Sequence, residues 1–206
     1  MKVEIIAEMA QGFEGSYNQA KLLVKAAASA GANAVKFQLV YADELATNDY
    51  VHYNLFKLLE MSDEDWNSIN KYSEKNKIQL YLDIFGNKGL NLCQKIGVKT
   101  VKLHPTDITN ISLLKSVSKS KIKKVILGIG GANIDEIEKA LIILKNKKVD
   151  LLLGFQSYPT ENCDNHIFRF SKVSSLALKI HKNFRIGFAD HANPNNQMKF
   201  AISCTA

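Results

Sequence analysis

No apolar run in this sequence approaches the about 18 residues that a membrane-spanning helix needs, so no span is expected. The opening stretch MKVEIIAEMA is too short for a signal peptide and carries Glu4 and Glu8 among its apolar residues. It is expected to be a first strand. Cysteine is scarce: Cys93, Cys163 and Cys204 are odd in number, far apart and in no CxxC pair. A disulfide framework or zinc knuckle is therefore not expected, and a reducing, cytoplasmic setting fits. No GxGxxG follows the first apolar run, which argues against dinucleotide binding. No strand interleaves aromatic with basic residues, so nucleic acid is not an expected partner despite a net charge of +7. The lysines are spread through the chain, and the positive balance equally suits a small anionic substrate. No linker, low-complexity segment or repeat is visible, so residues 1–206 are expected to form a single domain.

What is present is an alternation. The apolar share of 46% and charged share of 23% are those of an ordinary globular chain. Seven short, nearly continuous apolar or β-branched runs stand out: Val3–Met9, Ala34–Val40, Ile78–Phe85, Thr100–His104, Lys124–Ile129, Asp150–Phe155 and Phe184–Phe188. Continuous runs of this length predict parallel strands covered on both faces. Helical spacing fills the intervals. Ser16, Ser62 and Asn133 each stand three residues before Gln19, Asp65 and Glu136, the spacing of a capping box, and Asn110 is placed to cap Ile111–Lys119. Gly31 and Gly97 stand where helices should stop. Repeated βα units give either a doubly wound sheet or a parallel (β/α) TIM-type barrel. A closed barrel has eight strands and about 250 residues. With seven runs and an apolar helix beginning within Asn195–Ala206, the expectation is either an open sheet or a barrel lacking its last βα unit.

Ligands of such folds bind at the carboxyl ends of the strands. The polar residues expected there are Glu8 and Glu14 after the first run, then Lys36, Gln38, Asp83, Lys102, His104 and Asp107. Gly128, Gly130 and Gly131 follow, with Gln156, Tyr158, Asp190 and His191 after the last two runs. Lysines inside apolar strands are unusual because an unpaired buried ammonium is costly. Lys36 in AVKFQ and Lys102 in TVKLH therefore suggest cations aimed at a phosphate or carboxylate, or structural pairs with an acid such as Glu8. His191 in FADHA suits a metal ligand, a general acid/base or a structural histidine. Glu14, between Gly12 and Gly15, suits a catalytic carboxylate or a solvated loop acid. Asp107 in TDITN suits a turn or cap. His52, His166 and His181 are expected at the surface.

These motifs together resemble the sialic acid (N-acetylneuraminate) synthase family. IAEMAQGFEGS resembles that family's opening IAEIGxNHxG. AVKFQ, LLEMSDEDW, KLHPTDITNISLL, LGIGGANIDEIEKAL, QSYPT and GFADHA follow in the family's order and cover nearly the whole chain. The resemblance implies a barrel enzyme that condenses phosphoenolpyruvate with a 2-acylamino sugar aldehyde and releases phosphate, aided by a divalent metal, manganese or magnesium. It implies Glu14 as the catalytic carboxylate, Lys36 and Lys102 as phosphoenolpyruvate-binding cations, and Asp107, Gln156, Tyr158 and Asp83 at substrate-binding positions. His191 matches the first of two metal-binding histidines. The second lies in an IEKH-like motif beyond the family's next helix, and a small antifreeze-like domain follows there. Neither is expected before Ala206, so the expectation is a homo-oligomer, or a partner or further chain that completes the barrel.

The sequence departs from the family at several positions. Gly12-Phe13 stands for Asn-His, and Leu82, Asp83, Ile84 and Phe85 for Ser-Thr-Pro-Phe. Pro105 and Gly128 each stand for a serine, Gln156 for an asparagine, and Ala189 for a serine. Asp83 therefore adds negative charge where the family places a phosphate-facing threonine. Unit charges about 4 Å apart interact by about 4 kcal/mol near a protein surface. Two other readings stay open: a non-catalytic sugar- or anion-binding barrel, and a different lyase or isomerase using Asp83 and His104.

Overall fold

The computed structural model describes residues 3–155 and 157–206. Among the described residues seven strands alternate with helices. The strands are β1 Ile6–Ala10, β2 Ala34–Gln38, β3 Gln79–Ile84, β4 Thr100–Leu103, β5 Lys124–Gly128, β6 Lys148–Leu153 and β7 Phe184–Phe188. The helices are α1 Tyr17–Ser29, α2 Ala42–Leu45, α3 Tyr53–Leu59, α4 Asp63–Lys75, α5 Asn87–Lys95, α6 Ile111–Lys119, α7 Ile134–Ile143, α8 Arg169–Ile180 and α9 Lys199–Thr205. Backbone contacts divide the chain into two compact units, Met1–Lys102 and Leu103–Ala206. Among the described residues no helix is long and apolar enough to cross a membrane.

In the first unit β2 pairs in parallel with β1 and with β3. Four of the five β2 residues are buried, as expected of a strand covered on both faces. Phe13, Phe37 and Trp66 are all fully buried and meet edge-on, with ring centroids 5.3 to 6.0 Å apart. The expected caps are present: Ser16 Oγ accepts from Gln19 N at 3.3 Å, and Ser62 Oγ from Asp65 N at 3.0 Å. α5 is capped from a distance instead. The Glu44 carboxylate accepts from the backbone N–H groups of Lys88 (2.6 Å) and Gly89 (3.1 Å).

In the second unit β6 pairs in parallel with β5 and β7, and every residue of β5 is buried. Asn133 and Glu136 form the full capping box of α7, and Asn110 caps α6. Asp150 in β6 receives Arg185 of β7 through two hydrogen bonds, at 2.9 and 2.5 Å, with Lys124 Nζ at 3.3 Å.

Two expectations are corrected. β1 begins at Ile6 rather than Val3, because Val3 and Ile5 are solvent-exposed and the Ile5 N–H bonds the Asn33 side chain instead. The last helix, expected within Asn195–Ala206, begins at Lys199, after a turn closed by Asn193 and Asn196. His181 is not at the surface: it is buried, its Nε2 lies 3.1 Å from the Leu144 carbonyl, and its Nδ1 accepts from Asn183 N. A carbonyl only accepts, so Nε2 carries the proton and both ring nitrogens are satisfied.

Candidate functional site

Strand register gathers charge in the first unit. Glu8 stands beside Lys36 and Gln38 beside Asp83 across parallel ladders. Because side chains alternate with a period of two, Glu8, Lys36 and Asp83 share one face. Lys36 Nζ is ion-paired with Glu8 and lies 3.7 Å from Asp83 Oδ2. Lys102, from β4, places its Nζ 2.6 Å from the same Asp83 oxygen. Asp83 Oδ2 thus bridges two ammonium groups. Asp83 has no exposure, and the Lys36 and Lys102 side chains are 3% and 12% exposed, whereas Glu8 is 50% exposed.

Burial dominates the Lys36 ammonium and lowers its pKa. The neighbouring Lys102 cation lowers it further, while Asp83 and Glu8 oppose both effects. In this cluster Asp83 Oδ1 is buried with no hydrogen-bond partner among the described residues, as is Trp66 Nε1 elsewhere in the unit. Such atoms in a native interior call for an explanation. The carboxylate expected as the structural partner of Lys36 is present, so the cluster is an alternating row of two acids and two bases.

Glu14 sits in the turn after β1, exposed, with φ +52°. The turn is fixed on either side. Buried Phe13 anchors it to Phe37 and Trp66, and Gly15 has φ +71° where a Cβ would meet the Leu58 carbonyl oxygen at 2.2 Å. A left-handed non-glycine residue held this way is uncommon and clusters at functional sites. Phe13, standing for a family histidine, is therefore a core residue.

The second unit brings Tyr158 and His191 together, with ring centroids 4.5 Å apart. His191 Nδ1 lies 2.7 Å from the Phe155 carbonyl, so Nδ1 carries a proton and donates to it. The His191 carbonyl accepts from Thr160 N at 2.9 Å, tying the two loops. Asp107 accepts from Asn110 Nδ2 at 3.2 Å beside the α6 cap, the role its sequence context favoured. His104 Nδ1 lies 3.1 Å from Thr106 Oγ1. Gln156 lies outside the described residues.

Of the expected metal centre the described residues supply one candidate ligand, His191. Among the described residues no three His, Cys, Asp or Glu side chains come together as a ligand set. His191 offers one nitrogen, and Asp190 is engaged with Ala192 N (2.9 Å), Ser203 and Lys199. No chemical step is assigned to a metal.

Sequence reasoning placed Lys36, Lys102 and Asp83 at the site and Glu8 at the same strand ends, but gave Glu8 no role beyond pairing with Lys36. Its acidic side chain inside an apolar strand is the same signal that singled out the lysines. Glu44 was missed because its targets are 44 and 45 residues away. A cleft of about 370 Å³ lined by Tyr41, Asp63, Lys88, Asn91, Leu92 and Lys95 contains none of the expected site residues. Its lysines are engaged, Lys95 by Asp63 at 2.9 Å and Lys88 over the Tyr41 ring.

Seven βα units with parallel strands and charged groups on their faces define the parallel (β/α) TIM-type barrel class. The N-acetylneuraminic acid (sialic acid) synthetase of Leptospira borgpetersenii, solved in complex with citrate, superposes with a TM-score of 0.82 at 32% identity over 92% of this chain and 66% of that one. Phospho-2-dehydro-3-deoxyheptonate aldolase of Thermotoga maritima shares the fold alone, at a TM-score of 0.64 and 13% identity over 98% of this chain and 56% of that one. The chain belongs to the NeuB family, whose model matches residues 23–206. It is 32% identical over 190 residues to an uncharacterized protein of Methanocaldococcus jannaschii, covering 91% of this chain and 55% of that protein. It is 29% identical over 212 residues to the N,N'-diacetyllegionaminic acid synthase of Campylobacter jejuni, covering 92% of this chain and 61% of that enzyme. The chain thus spans between 55% and 61% of the length of these two relatives.

Proposed function

We propose that the chain contributes the barrel of a nonulosonate synthase, a transferase that condenses phosphoenolpyruvate with a 2-acylamino sugar aldehyde in carbohydrate biosynthesis. The observation that carries this reading is the Lys36–Lys102 ammonium pair bridged by Asp83 on a NeuB-family barrel. Such a reaction must hold a densely anionic small molecule, and two ammonium groups on one sheet face are suited to that task. The methylene carbon of phosphoenolpyruvate attacks the aldehyde carbon, forming the carbon–carbon bond and leaving a cationic centre at the enol carbon. Water adds there and loses a proton to a carboxylate, and phosphate leaves as the 2-oxo acid forms. Glu14 is the carboxylate assigned to that proton. Lys36 and Lys102 anchor the anion, Asp83 orients them, and Tyr158, Asp107 and Gln156 are assigned to substrate positions. His191, through Nε2, is the residue assigned to a divalent metal.

The test is phosphate release from phosphoenolpyruvate with manganese and N-acetylmannosamine. Release that requires both organic substrates supports the reading, and none above background overturns it. A second reading, a non-catalytic anion- or sugar-binding barrel, is favoured by one observation: Glu8 and Asp83 already balance both ammonium groups. It is distinguished by ligand binding without turnover.

A further inference from the structure

The stretch LLEMSDEDW, Leu58–Trp66, runs from the end of α3 into the first turn of α4. Its two ends hold the two chain neighbours of Glu14. At one end a Cβ on Gly15 would meet the Leu58 carbonyl oxygen at 2.2 Å, so the turn rests directly on the end of α3. At the other end the Trp66 ring meets Phe13 edge-on with centroids 5.3 Å apart, and neither residue has any exposure. The stretch is itself tied down between these ends. The Glu60 carboxylate accepts from Ala42 N at 2.8 Å and from Lys57 Nζ at 3.1 Å, and Ser62 Oγ accepts from Asp65 N at 3.0 Å. Within the turn, Glu14 N donates to the Gln11 carbonyl at 2.9 Å and Ser16 N to the Phe13 carbonyl at 2.8 Å. Glu14 has φ +52°, a conformation that persists only where the surroundings enforce it. Its exposed side chain takes its position from the backbone beneath, and Phe13 and Gly15 fix that backbone. Trp66 Nε1 is buried with no hydrogen-bond partner among the described residues. A buried donor left unpaired costs stability, so stability alone does not account for an indole at this place.

We propose that Trp66 is a positioning residue for Glu14: acting through Phe13, and together with the Leu58 carbonyl under Gly15, it holds the turn after β1 so that the Glu14 carboxylate stands in one place. Trp66 is fully buried and does not meet substrate. This deepens the function proposed above and rests on its assignment of the water proton to Glu14. A carboxylate displaced by about 1 Å loses about 10²-fold in rate. The loss falls on the transition state alone, because the carboxylate serves the proton transfer and not the binding of either substrate.

The experiment uses the full chain and two readouts. The first is amide hydrogen exchange at Glu14 and Ser16, followed by NMR without substrate. Trp66→Leu should speed exchange at both amides by about tenfold or more, and Trp66→Phe, which keeps a ring against Phe13, should stay within about threefold of the wild type. Leu141→Ala, a cavity in the buried face of α7, is the control for lost stability and should leave the two amides unchanged. The second readout is the condensation assay. Trp66→Leu should lower kcat by about 10²-fold with KM within about threefold, and Trp66→Phe should recover most of the rate. In the Glu14→Gln background Trp66→Leu should add less than about threefold, because the carboxylate it positions is already gone. Should Trp66→Leu not fold, Gly15→Ala displaces the turn from the Leu58 carbonyl and should give the same pattern. The proposal is overturned by unchanged exchange at Glu14 and Ser16, by a rise in KM with kcat kept, or by a full additional loss on Glu14→Gln. If the wild type does not turn over, the condensation reading falls and exchange at Glu14 and Ser16 decides whether Trp66 holds the turn.

Discussion

A Cβ added to Gly128 would stand 2.6 Å from Cδ and Cγ of Pro105. Both positions carry serine in the family that the sequence resembles, so two separate departures are one packing event. The proline ring fills the space that a side chain at the end of β5 would need. Gly128→Ser should destabilise the chain by about 1–3 kcal/mol through overpacking against a rigid ring. Adding Pro105→Ser should recover much of that loss. Urea denaturation of the two single variants and the double variant measures the coupling, and additive losses would separate the positions.

Removing Asp83 should cost more. Asp83→Ala leaves two largely buried ammonium groups facing each other, with a loss of about 3–5 kcal/mol. Replacing Lys36, Asp83 and Lys102 together by apolar residues of similar size should return stability close to that of the wild type. Urea midpoints for the single and triple variants check both statements.

The pH dependence follows from Lys36. Burial, then the Lys102 cation, lowers its pKa from the ordinary 10.5. The folded chain therefore releases this proton at a lower pH than the unfolded chain does. Between the lowered value and 10.5 the unfolded state binds more protons, so stability rises with pH in that window. Below the lowered value the full cost of the buried charge is present. The difference in stability between the wild type and Lys36→Met, followed across the alkaline range, should shift in favour of the wild type as pH rises. Anion affinity should move the opposite way, because the ligand needs the charged form.

Glu14 is exposed, so Glu14→Gln should change stability by no more than about 0.5 kcal/mol. Turnover in the condensation assay should fall by about 10²- to 10⁴-fold, with ligand binding kept. Equal turnover in the two proteins would assign the carboxylate to the solvated turn alone.

Local chemistry made much of the fold legible. Ser16, Ser62, Asn110 and Asn133 cap the helices their spacing indicated, and Gly31 and Gly97 take φ +80° and +83° at helix ends. Lys36 and Lys102 stood out because ammonium groups rarely sit in apolar strands, and the same physics brought them to Asp83. Features set by distant partners were not legible. His181 looked like a surface residue because nothing near it in sequence shows that the Leu144 carbonyl awaits its ring. Phe13 occupied the place of a polar motif residue, and only its packing on Phe37 and Trp66 shows it to be core. The role of Glu8 depended on strand register, which composition does not carry.

The most direct measurement is a crystal structure of the chain with phosphoenolpyruvate bound. The ligand should lie within hydrogen-bond distance of both Lys36 Nζ and Lys102 Nζ, with Asp83 in place. Phosphoenolpyruvate bound elsewhere, with the Glu8–Lys36 ion pair intact, would contradict the account.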